Sequence, residues 1–144
     1  MLDTLASILT LAGNEALGFF DTLHARTVEA KAPGDLVSDA DRAVEVTIRR
    51  RLAQHFPTDG ILGEEMGGTP SGRFWAVDPI DGTSNFLSGL PFWTISLGLM
   101  DNGVPVAGGI LAPALGLMAV ADGPTLIETG LAPGSRATDP PCIG

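Results

Sequence analysis

Asp78-Pro79-Ile80-Asp81-Gly82-Thr83 sets two carboxylates three residues apart, where the apolar run Phe74-Trp75-Ala76-Val77 ends. Pro79 has no N–H and forbids the strand to continue, so both acids are expected just past a strand end. Gly82-Thr83 then opens a short helix. Oxygen clusters of this kind suit hard divalent cations, and the free N–H groups of a helix start suit an anion. Metal beside phosphate is the chemistry this spacing points to.

Two further acid groups accompany it. Asp39/Asp41 and Glu64/Glu65 also stand where the chain leaves regular structure. If the strands are neighbours these ends converge, and a carboxylate cluster is costly unless cations occupy it. Taken singly, each acid has a plainer reading. Asp41 caps its helix, Glu64-Glu65 is a solvated pair, and Asp-Pro-x-Asp-Gly is a turn. Two rival motifs fail on spacing. An EF-hand loop needs a ligand where Ile80 stands. The haloacid-dehalogenase motif Asp-x-Asp-Gly-Thr has one residue between its acids, where this chain has Pro79 and Ile80.

The elements that must carry these residues follow from periodicity. Leu5, Ile8, Leu9, Ala12 and Ala16 predict a first helix over roughly residues 3–24. Residues 31–37 read as an exposed loop ending in an extended Leu36-Val37. Ser38, with Asp41 three residues on, resembles a capping box and starts a second helix. That helix carries Val44, Ile48 and Leu52 on one face, turns Arg49-Arg50-Arg51 outward and stops at Pro57. Ile61-Leu62 is a short buried strand, residues 67–72 a loop, and Phe74 to Val77 the next strand. Phe92–Met100 and Val104–Leu111 form a hairpin around Asp101-Asn102-Gly103. Leu117–Ala121 and Thr125–Thr129 are further antiparallel strands. Two helices followed by an antiparallel meander make an α+β layer.

A chain of 144 residues suits one domain with a core. Its net charge of −9 argues against nucleic acid as a partner. A small phosphate ester stays open, because bound cations reverse the local field. The single cysteine, Cys142, excludes an internal disulfide and a Cys-based zinc site, and makes a cytoplasmic location the expectation. The first basic side chain is Arg26, so the first helix is expected to be an amphipathic core helix rather than a signal peptide. The uncharged run Val104–Ala121 is broken by Pro105 and Pro113, so no membrane segment is expected. His24 and His55 are lone packing or surface residues, and Met66, Met100 and Met118 are core filler.

Three stretches resemble the N-terminal signatures of the inositol monophosphatase family. They are Leu36-Val37-Ser38-Asp39-Ala40-Asp41, Gly63-Glu64-Glu65 and the specific Trp75–Phe86 segment, and Gly89-Leu90-Pro91-Phe92 also fits. The resemblance covers roughly residues 1–125. It implies a Mg²⁺-dependent hydrolase of small phosphorylated substrates such as inositol monophosphate, with Glu64, Asp78, the Ile80 carbonyl and Asp81 as metal ligands. Ile80, Asp81, Gly82 and Thr83 would bind the substrate, its phosphate held by the Gly82 and Thr83 N–H groups. Asp41 and Thr83 would orient and activate the attacking water, and Lys31 corresponds to a mobile loop lysine.

The resemblance also implies a departure. Family members are about twice as long, with a second half that completes a layered αβαβα fold and supplies a Trp-Asp motif. Trp75 and Trp93 are followed here by Ala76 and Thr94. The expectation is therefore an N-terminal α+β half over residues 1–130, a disordered tail over 131–144, and a truncated form with impaired activity. The uncovered sheet would favour self-association, a homodimer for example. Histidinol phosphate, fructose 1,6-bisphosphate and phosphonucleotides are alternative substrates, and a non-catalytic metal-binding or interaction fragment is the rival of another class.

Overall fold

The computed structural model describes residues 1–25, 33–64 and 72–130. Arg26, Lys31, Glu65, Met66, Cys142, most of the 67–72 loop and the 131–144 tail lie outside the described residues. Helix α1 spans Leu2–Leu23 and buries Leu5, Ile8, Leu9, Ala12 and Ala16 along one stripe. Helix α2 spans Pro33–His55 and lies against α1. The strands are β1 (Gly60–Gly63), β2 (Arg73–Asp81), β3 (Thr94–Asp101), β4 (Val104–Ala112), β5 (Leu117–Asp122) and β6 (Thr125–Thr129), with a short helix α3 (Thr83–Leu87) after β2.

The six strands form one sheet in chain order. From β2 to β6 it is the expected antiparallel meander, but β1 pairs with β2 in parallel, so the sheet is mixed. A parallel pair needs a crossover longer than a hairpin turn, and residues 64–72 separate β1 from β2. Asn102 (φ 48°) and Gly103 (φ 82°) make the tight turn between β3 and β4 that the Asn-Gly pair predicts. α1 packs on β3, β4 and β5, and α2 packs on β2 and α3. The core between the layers includes Trp75, Trp93, Phe86, Ile48 and Leu52, all without exposure.

Two expectations about the site-bearing elements are corrected. Leu36-Val37 is not extended and Ser38 does not cap a helix, because α2 already begins at Pro33. Proline is well suited to a first helical position, and Leu36, Val37, Ala40, Val44, Ile48 and Leu52 continue one buried stripe from it. Asp41 is therefore two turns inside α2, too far from its start to cap that helix. Nor does Pro79 end the strand: β2 runs through it to Asp81.

The proline instead coincides with a bulge. Asp78 pairs with Ser96 and Asp81 with Thr94, so two residues of β2 oppose one of β3 between those pairs. A missing N–H is tolerated at such a break in the ladder.

Candidate active site

The bulge decides where the acids point. Side chains alternate along a regular strand, which would send residues three apart to opposite faces. Here Val77 is buried, Asp78 is half-buried, Pro79 and Ile80 are both buried, and Asp81 is exposed. The extra residue turns Asp81 back to the side of Asp78. β1 runs parallel beside β2, with Gly63 opposite Val77, so Glu64 leaves the sheet next to Asp78.

Asp78 is the most perturbed group of the cluster. Burial, a hydrogen bond shared with the Glu64 carboxyl, and the charges of Glu64 and Asp81 push its pKa up to about 7. A hydrogen bond from the Ile80 backbone N–H opposes them without prevailing. Its Oδ1 is buried with no hydrogen-bond partner. An orphaned carboxyl oxygen beside a second carboxyl group is a donor set that fits a hard divalent cation. Mg²⁺ is commonly held by only one or two carboxylates, with water and substrate phosphate completing its shell.

Glu64 and Asp78 also line an open groove of about 550 Å³ with Leu62, Ala76, Ser96 and Gly98. Among the described residues no three acidic, His or Cys side chains close on a single point as a finished metal cage. The structure thus brings Glu64 and Asp78 into contact and leaves Asp81 as a neighbouring charge. Ile80 buries its side chain in the core, which leaves its backbone as its only polar offering.

The next residue redirects the chain. Gly82 has φ 92° and ψ 46°, a left-handed conformation that suits glycine, and a Cβ there would stand 3.0 Å from the Phe92 carbonyl oxygen. The chain enters α3 at the exposed Thr83, where first-turn N–H groups have no partner within the helix. Asn85 Nδ2 donates to the Phe92 carbonyl at 2.7 Å, and His24 Nε2 lies 2.8 Å from the Phe86 carbonyl oxygen. His24, a lone histidine in the sequence, thus ties the end of α1 to α3. Asp41 is buried on α2, which packs against α3.

Two neighbours of these residues are not singled out by the sequence. Ser96 enters through the β2–β3 register alone, which no local motif announces. Glu45 does carry a signal: it lies four residues after Asp41 and four before Arg49, a column of charges along an otherwise apolar helix face. Arg49 accordingly does not turn outward as expected. Its Nη2 lies 3.4 Å from Glu45 Oε1 and its side chain is largely covered.

This arrangement can be set beside known proteins. Residues 2–127 match the inositol monophosphatase family. The chain belongs to that family. An uncharacterized protein of Sinorhizobium fredii is 44% identical over 85% of the chain, and a histidinol-phosphatase of Mycobacterium tuberculosis is 54% identical over 55% of it. Among solved structures, the inositol monophosphatase from Anabaena superposes with a TM-score of 0.73 at 29% identity, covering 88% of this chain. The matched parts amount to 46%, 31% and 46% of those three proteins, so this inositol monophosphatase family chain spans less than half the length of each. Its helices and mixed sheet correspond to one half of the family's structures.

Proposed function

We propose that this chain carries the cation- and phosphate-binding segment of a Mg²⁺-dependent phosphomonoesterase acting on inositol monophosphate or a related small phosphate ester. The observation that carries the reading is the partnerless, buried Oδ1 of Asp78 against the carboxyl of Glu64. Glu64, Asp78, Asp81 and the Ile80 carbonyl are the proposed ligands. A bound cation supplies Lewis acidity and neutralises charge on the phosphate oxygens.

The chain's own groups do the rest. The Gly82 and Thr83 N–H groups hold the phosphate in place, since the helix start leaves them free to donate. The Thr83 hydroxyl both donates and accepts, so it can pass a hydrogen bond from the attacking water to Asp41. The buried Asp41 carboxylate orients that water and takes its proton. A cytoplasmic location belongs to the same proposal. It is compatible with the finding that no helix among the described residues is long and apolar enough to cross a membrane.

Histidinol phosphate is a second reading of the substrate, favoured by the 54% identity to the mycobacterial histidinol-phosphatase. The core of the proposal is tested by calorimetry with Mn²⁺ or Mg²⁺ on the 144-residue chain. Asp78→Asn is expected to abolish the binding heat. An unchanged titration would remove the metal assignment.

A further inference from the structure

Among the described residues, Glu45 is a carboxylate with no exposure at all, set in the face of α2 that otherwise buries Val44, Ile48 and Leu52. A buried carboxylate is costly to desolvate, and an apolar side chain often serves stability equally well. Stability alone therefore does not call for a charge here. The space around it is more telling. A Cβ built on Gly63 would overlap Glu45 Oε1 and stand 2.8 Å from Arg49 Nη2. The ion pair thus occupies the volume that a side chain at position 63 would take. Gly63 is the last residue of β1, pairs with Val77 and directly precedes Glu64. One turn earlier on the same helix is Asp41.

We infer that Glu45 is a positioning residue: its carboxylate, balanced by Arg49, is wedged between α2 and the end of β1 and sets Glu64 beside Asp78. This rests on the cation site proposed above. Glu45 touches no reacting atom; it spaces the helix that carries Asp41 from the strand end that carries Glu64. The close approach of backbone to carboxylate is possible only because residue 63 has no side chain.

The test is Mn²⁺ affinity of the folded chain by calorimetry, well below its melting temperature, beside the melting temperature of the metal-free chain. Glu45→Ala should weaken Mn²⁺ binding about 10–100-fold, the range for groups that orient metal ligands. Glu45→Gln, which keeps the shape, should recover most of that loss. Gly63→Ala approaches the same contact from the other side and serves where Glu45→Ala fails to fold. It should weaken binding similarly, and cost less in a Glu45→Ala background, since the overlap is then gone. Folded Glu45→Ala and Gly63→Ala chains that bind Mn²⁺ within twofold of the parent would overturn the inference, even if both melt earlier. Asp78→Asn separates the two readings. If it abolishes binding while the Glu45 and Gly63 variants do not, only the positioning role falls. If the parent chain takes up no Mn²⁺, the site and the positioning role fall together.

Discussion

At the scale of single residues, Asp78 costs the metal-free chain stability at the place where the cation site is proposed. In the metal-free chain its pKa is raised from 3.8 to about 7, so the folded state holds a proton that the unfolded state gives up. Stability from this group is therefore present at low pH and is lost as pH rises from about 4 to 7. With a chelator present, Asp78→Asn is expected to raise the melting temperature at pH 8 and to change it little at pH 4. The opposite order would contradict the crowding of Asp78 by Glu64.

Gly82 answers to backbone geometry instead. Ala at φ 92° would be strained and would crowd the Phe92 carbonyl, so Gly82→Ala should cost about 1–3 kcal/mol in urea denaturation. Asp59 is a third such residue, and no motif marks it. It accepts from Trp75 Nε1 at 3.1 Å and pairs with Arg73 Nε at 3.2 Å, tying the approach to β1 onto β2. Asp59→Ala leaves the buried indole N–H without its partner, at a cost of about 1–3 kcal/mol. A two-state melt of each variant measures both.

At the scale of elements, legibility tracked how local the determining interaction is. α1, the β3–β4 hairpin and the last two strands follow from periodicity and from turn residues next to them in sequence, and each lies within a residue or two of its expected place. The start of α2 is obscured in the sequence because Leu36-Val37 and Ser38 carry extended and capping preferences of their own. Burial of the full stripe from Leu36 to Leu52 against α1 and the sheet outweighs them. Ile48 is a fully buried member of that stripe, and Ile48→Ala is expected to destabilise the chain by about 2–5 kcal/mol.

The course of β2 past Pro79 was illegible for a different reason. Proline argues against a central strand, and only the pairing with β3 shows that its missing N–H falls in a bulge. The acids were legible as residues. That Asp78 and Asp81 share one side depends on that bulge, and Glu45 on a contact with a glycine 18 positions away.

At the scale of the molecule, α1 and α2 pack on one side of the sheet, while the groove at Asp78 opens on the other, among Ala76, Ser96 and Gly98. Among the described residues no helix covers that second face. Charge stabilisation weakens where water enters, because fixed dipoles and ions act more strongly in a dry site. Loss of one electrostatic element of an active site typically costs about 10²–10³ in rate. The 144-residue chain by itself is therefore expected to turn over inositol 1-phosphate and histidinol phosphate with Mg²⁺ well below about 1 s⁻¹, the lower end of ordinary enzyme rates. Phosphate release, measured beside a Thr83→Ala control, decides it. Turnover above that rate and lost in the control would show that these residues suffice for catalysis, and its preference between the two esters would choose the substrate.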